Sequence, residues 1–203
     1  IFKEFFDRTL NVNNYESRSS QSFIDVSERQ NYLFNSTING IEEADFILLI
    51  GTNPRYEATM VNARIRKAYL KNNTEVISLN DVGDLTYPYK NLDGKTLTIK
   101  EMIEKKNDLS NKILSFNKPL IILGETFFKT KSAEYLFYSL KDFLLKNSKY
   151  TNDWNPLNVL SANAATVGNF DLDIVKKDSN LLKELNANNF ELVFLLGQDD
   201  LRF

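Results

Sequence analysis

The sequence predicts an α/β fold: a doubly wound, mostly parallel sheet with helices on both faces. Three observations carry this expectation. Ala44–Gly51, Pro119–Gly124 and Phe190–Gly197 are continuous rather than alternating apolar runs, as strands buried on both faces require. Each run ends in a glycine, which permits a tight turn or a close approach at the strand's carboxyl end. Helical patterns lie between the runs, and strands alternating with helices imply right-handed βαβ units.

Taken in order, Ile1–Leu10 (IFKEFFDRTL) reads as a short amphipathic helix. Asn11–Gln30 is polar apart from the patch Phe23–Val26, and Thr37–Glu43 reads as a helical turn feeding the first core strand. Glu57–Lys71 is a predicted helix with Val61, Ile65 and Ala68 on one side and Arg64, Lys67 and Lys71 on another. Glu75–Leu79 is a shorter strand candidate, and Tyr87–Gly94 an irregular loop punctuated by Pro88 and Gly94. Ile99–Leu114 reads as one helix behind Thr98 as its cap, with Met102 and Ile103 neighbouring Ile99. Lys131–Lys146 carries Tyr135, Leu136, Leu140, Phe143 and Leu144 at helical spacing. Lys146–Pro156 is a polar connection, Leu157–Leu160 a further strand, and Ser179–Leu185 a short helix leading into the last apolar run. No low-complexity linker interrupts the chain, so residues 1–203 are expected to form one domain.

Composition narrows the chemistry. A chain of 203 residues buries roughly 70% of its unfolded surface. The net charge of −2 gives no basic patch and argues against nucleic acid as a partner. Apolar runs such as Phe46–Ile50 and Leu192–Leu196 are far shorter than the about 20 residues of a membrane-spanning helix, so no direct membrane span is expected. The sequence holds no cysteine and no histidine. That excludes cysteine-ligated iron–sulfur clusters, Cys/His zinc sites, disulfides, cysteine nucleophiles and Ser-His-Asp chemistry within it. Carboxylate and hydroxyl chemistry stays open. Asn, Lys, Phe, Ile and Leu are heavily used, which suggests an AT-rich genome such as that of an organelle. Ile1 as first residue suggests processing, non-standard initiation or an incompletely represented chain, and no signal or Arg-rich transit peptide is visible.

The most informative stretch is Arg29–Lys67, in which a buried strand, a glycine turn and a helix follow one another. Gly51, Thr52 and Asn53 stand at the strand's carboxyl end, where open α/β sheets bind ligands. Pro54 limits the loop's freedom and Arg55 is available to an anionic group. These residues read either as a weak phosphate site, without GxGxxG or a P-loop GK pair, or as a glycine turn with a capped helix.

The same stretch resembles the large iron–sulfur subunit of NADH:quinone oxidoreductase, mitochondrial complex I. The residues that carry the resemblance are Glu42-Glu43-Ala44-Asp45, Gly51-Thr52-Asn53-Pro54-Arg55, Tyr56-Glu57-Ala58 and Asn62-Ala63-Arg64-Ile65-Arg66-Lys67. Weaker agreement continues at Asp84-Leu85-Thr86-Tyr87, Lys118–Gly124 and Leu195–Gly197. The resemblance implies the molybdopterin-oxidoreductase-like carboxy-terminal region, as a segment of a larger subunit, divided or longer. It implies that iron–sulfur clusters sit in a companion cluster domain, with no cofactor in this chain and no catalytic or metal-ligating residue. Gly51, Thr52, Asn53 and Arg55 are then candidates for a vestigial pocket loop. The implied partners are other complex I subunits, above all the chain carrying the cluster-binding domains, at the matrix side of the mitochondrial inner membrane.

Two other readings stand beside this scaffold: a molybdopterin- or nucleotide-binding oxidoreductase module using the Gly51–Arg55 loop, and an autonomous nucleotide-binding protein of doubly wound type. Arg64, Arg66, Lys67 and Lys71 read as a surface for an acidic partner or as a solvated helix face. Trp154, with Tyr150 nearby, reads as an interface anchor or a local packing anchor. Asp171, Asp173 and Asp178 lack metal-loop spacing and are taken as surface.

Overall fold

The computed structural model describes residues 1–17, 22–161, 163–175, 181–187 and 189–197. Helix α1 (Phe2–Phe5) continues into a π-helical turn, Phe6–Leu10, which Asn11 ends in the left-handed region at φ 52°. The amphipathic helix is thus present, but none of its residues is fully buried. Phe23 then docks against Phe137 and Tyr138, and Ile24 and Asp25 are buried. Helix α2 (Thr37–Gly40) and a 3-10 turn at Ile41–Glu43 lead into strand β1 (Phe46–Ile50), as expected.

After β1 the predicted helix is present, preceded by a separate turn. A single turn, α3 (Pro54–Glu57), precedes α4 (Thr59–Asn72) because Ala58 leaves helical geometry. Strand β2 (Glu75–Ser78) follows, and then a two-residue strand, β3 (Lys90–Asn91). The Tyr87–Gly94 loop therefore supplies an edge strand, which its polar, exposed residues do not announce. The helix expected over Ile99–Leu114 is two helices, α5 (Thr96–Ile103) and α6 (Asp108–Ser115). Lys105 turns left-handed at φ 58°, and the Asn107 side chain caps α6 by accepting from the Ser110 amide. Thr98 lies inside α5 rather than capping it. Strand β4 (Pro119–Leu123), the turn α7 (Glu125–Phe128), α8 (Ala133–Lys146), strand β5 (Leu157–Val159), α9 (Thr166–Asp171) and α10 (Leu181–Asn186) complete the order. Ser179 and Asp178 lie outside the described residues.

The five strands pair in the order β3-β2-β1-β4-β5, every pairing parallel. Asp45, at the foot of β1, receives the amides of Asn117 and Lys118 at 2.8 and 2.9 Å and so holds the register of β1 against β4. Alternate residues of β1 enter opposite layers. Phe46, Leu48 and Ile50 face a core closed by Ile99, Met102, Ile113, Phe137 and Leu140 of α5, α6 and α8. Ile47 and Leu49 face a second core with Val61 and Ile65 of α4, Leu85 and Trp154. This two-sided burial explains why β1 and β4 are apolar without alternation. The third apolar run, Phe190–Gly197, is a correction: it forms no strand, and Leu192–Leu196 are exposed. Among the described residues no strand pairs with it, so its apolar pattern alone does not make it a strand here.

Candidate functional site

Strand order reverses between β1 and β4, since the chain leaves β1 toward β2 and returns to β4 on the other side. The carboxyl ends of these strands, Gly51 and Gly124, therefore frame the crevice where open sheets place ligands. Here the crevice is closed by the chain itself. Gly51 takes φ +64°, and a Cβ on it would lie 2.5 Å from the backbone nitrogen of Phe127. A Cβ on Gly124 would lie 2.4 Å from the Gly51 carbonyl oxygen and 2.4 Å from Thr52 Cβ. Gly124 N also donates to Ile50 O at 2.9 Å. Both glycines are there because backbone meets backbone.

The loop's polar groups close inward. The Thr52 hydroxyl donates to Glu57 Oε2 at 2.6 Å, and Asn53 N donates to Glu57 Oε1 at 3.0 Å. Asn53 Oδ1 accepts from Arg55 N at 3.2 Å as the cap of α3, with Pro54 at the first helical position. Its amide nitrogen donates to Val82 O at 2.9 Å. Arg55 Nη1 donates to the carbonyl and carboxylate of Asp84 at 2.6 and 2.7 Å. Asp84 is held below the usual carboxylate range by the Thr86 amide and, secondly, by Arg55. The structure thus brings Gly51, Thr52, Asn53 and Arg55 together as one turn. The partners that sequence reading missed, Glu57, Val82 and Asp84, answer them. Glu57 stands four residues after Asn53, one beyond the capping-box position, and Val82 and Asp84 had no local signal.

Beneath this turn, Tyr87 donates to Asn62 Oδ1 at 2.8 Å while Asn62 Nδ2 donates to Leu85 O at 3.0 Å. Burial raises the Tyr87 phenol above its ordinary range. Of the basic residues on α4, Arg64 and Lys67 both pair with Glu42, which lies below its ordinary pKa through the Lys67 hydrogen bond first and the Arg64 one second. Arg66 and Lys71 are exposed. Trp154 is a packing anchor: 5% exposed, it donates from Nε1 to Pro119 O at 2.9 Å. Tyr150 packs in the other layer. Asp171 does more than face solvent, accepting both Arg29 Nε and Nη2 and the Tyr32 hydroxyl. Asp173 is exposed.

A cavity of about 110 Å³ lies one strand over, at the carboxyl ends of β4 and β5, lined by Phe23, Glu125, Phe128, Ser161 and Asn169 among others. The sequence reading did not single it out. Its lining comes from segments far apart in the chain. Among the described residues, no group of three Asp or Glu side chains is placed to hold a metal ion, and no helix is long and apolar enough to cross a membrane.

Residues 1–203 match the molybdopterin oxidoreductase family. Over 174 residues the chain is 35% identical to the mitochondrial NADH-ubiquinone oxidoreductase 78 kDa subunit of Candida albicans, covering 85% of this chain and 23% of that protein. Over 204 residues it is 33% identical to the NADH-ubiquinone oxidoreductase 75 kDa subunit of Reclinomonas americana, covering 100% of this chain and 29% of that one. The mitochondrial NADH dehydrogenase [ubiquinone] iron-sulfur protein 1 of Solanum tuberosum is 34% identical over 172 residues, 85% of this chain and 23% of its own. The chain therefore spans about a quarter of the length of these relatives.

Proposed function

This chain belongs to the molybdopterin oxidoreductase family, and from that membership we propose that it is a non-catalytic scaffold in the peripheral, matrix-side arm of respiratory complex I. The observation that carries the reading is its similarity, at 33–35% identity along 85–100% of the chain, to subunits named for NADH–ubiquinone oxidoreductase. Its task is to support the part of the large subunit that bears iron–sulfur clusters and to present surface to neighbouring subunits at the mitochondrial inner membrane. Electrons pass elsewhere, because this sequence supplies no cysteine to ligate a cluster.

The family name implies a pterin nucleotide, and the Gly51–Arg55 loop does not fit one. Its hydroxyl, amide and guanidinium groups are engaged by Glu57, Val82 and Asp84, and the glycines that would admit a ligand are filled by the backbone of Phe127 and Thr52. A ligand would have to break these contacts before making its own.

The test is to tag the chain in its source organism and isolate it under mild detergent. Co-migration with complex I subunits on a native gel is expected. Molybdenum, tungsten and nucleotide released on denaturation should all be far below one per chain. A stable monomer that never co-migrates, or a stoichiometric pterin in contact with Thr52, Asn53 or Arg55, overturns the proposal.

A further inference from the structure

The run Phe190–Gly197 is built like the core strands and placed unlike them. Leu192, Val193, Phe194, Leu195 and Leu196 are apolar at five consecutive positions, with exposures of 70%, 44%, 53%, 48% and 54%. Both alternating faces are therefore wet. Among the described residues no backbone hydrogen bond reaches 190–197, whereas β1 is paired along both edges. Gly197 closes the run at φ +68°, close to the +64° of Gly51 after β1. The local unit, an apolar run ending in a left-handed glycine, is thus repeated without a sheet around it.

Among the described residues, neither edge of the sheet is well placed to receive this run. Beyond β5, the Val159 amide already donates to Leu33 O, and Leu157 O accepts from Asn35 Nδ2. At the other edge β3 is only Lys90 and Asn91, both exposed, and a lysine of this kind blunts an edge. The helical amino terminus instead reaches the run, with Phe6 meeting Phe194 edge-on at 5.1 Å. Phe2 and Phe5 of the same segment remain 64% and 47% exposed. An apolar strip of this extent on one side of a molecule marks an interaction surface.

We infer that Phe190–Gly197 is a docking strand that enters a parallel sheet edge lying outside this chain, in the remainder of a subunit like its relatives. The inference rests on the complex I reading above. Three features select this occupant. A run apolar on both faces fits a sheet covered on both sides, and a half-exposed antiparallel edge would leave one face wet. Its five apolar residues are too few for a lipid-spanning helix, which needs about 20. The chain covers 23–29% of the matched relatives, leaving at least 71% of their length to furnish that edge.

Hydrogen–deuterium exchange of the tagged chain, isolated with its native partners, against the same chain alone tests this. The amides of 192–196 are expected to exchange without protection in the isolated chain and to slow by about a thousandfold or more in the assembly, the range that separates open from cooperatively folded backbone. Leu195→Pro removes one strand donor and should leave the isolated chain's thermal midpoint unchanged to about 1 °C. The same variant should cut recovery of the partners about tenfold, the effect of losing roughly 1.4 kcal/mol of binding. Free exchange at 192–196 in an assembly that does contain complex I subunits overturns the docking strand and leaves the complex I reading intact. An assembly lacking those subunits removes both. Protection that appears in the isolated chain as it dimerises assigns the strand to a second copy, and also overturns the inference.

Discussion

Replacing Gly51 by Ala should be among the most damaging single-methyl additions available to this fold. The residue holds φ +64°, where an L side chain costs about 1–2 kcal/mol. The new Cβ would also stand 2.5 Å from Phe127 N and 3.0 Å from Phe127 Cβ, and relieving that contact means moving the start of α7 off the end of β1. Overpacking of this kind costs about 1–3 kcal/mol, so the combined loss is about 2–5 kcal/mol. At a urea dependence of about 2 kcal/mol per M, the unfolding midpoint should fall by about 1–2.5 M. The lone Trp154, buried beside Pro119, reports the transition by fluorescence. Gly83→Ala is the control, because Gly83 takes φ +70° but a Cβ there meets nothing within 4 Å. It carries only the backbone cost, at most about 1 M in the midpoint. Equal shifts for the two variants would refute the argument from close approach, and an unshifted Gly51→Ala would refute both parts of it. Val at position 51 should be worse than Ala, since branching tolerates positive φ poorly.

Asn107→Ala should cost about 1 kcal/mol in urea unfolding, because it removes the cap of α6 and the bond from Asn107 Nδ2 to Thr98 O; a neutral result would mean that water replaces both contacts. Trp154→Phe, followed by circular dichroism, should cost about 1–3 kcal/mol by leaving the Pro119 carbonyl without its indole donor. Asp171 sits at about 2 rather than the usual 3.8, through its hydrogen bonds first from Arg29 and then from Tyr32. A depressed carboxyl stabilises fully above its unfolded value, and the contribution is lost as pH falls from about 4 toward 2. Asp171→Asn should therefore flatten that part of the stability–pH curve, and parallel curves for the two proteins would disprove the assignment.

What the sequence made legible was set by whether a signal was local. β1 and β4 were readable because burial on both faces forces unbroken apolar runs, and α4 and α8 because one face of each is apolar at helical spacing. Phe190–Gly197 is apolar without alternation, as β1 is, but among the described residues no strand pairs with it, and pattern alone cannot report a missing strand partner. The break between α5 and α6 was readable in principle. Asn107 followed by Asp108 is a capping signal, masked by the apolar positions on either side and by the helix-favouring Lys105 and Lys106. β3 was not readable, since Lys90 and Asn91 carry no strand character and pair only because β2 presents an edge. In the candidate site the turn itself was predicted from Gly51 and Pro54. Its closure was not, because Asn53 to Val82 and Arg55 to Asp84 each join residues 29 apart in sequence.

The register that Asp45 holds has a consequence during synthesis. Its two amide partners lie 72 and 73 residues further along the chain. At a ribosomal speed of about 5–20 residues per second, the central strand waits about 4–15 seconds for its second neighbour to be made. β2 arrives first and covers one edge, leaving five fully apolar residues of β1 with a bare edge on the side that β4 will occupy. Non-local pairing of this kind is slow and prone to mispairing between nascent chains. The interval between translation of Ser78 and Pro119 is therefore when this polypeptide most needs a chaperone.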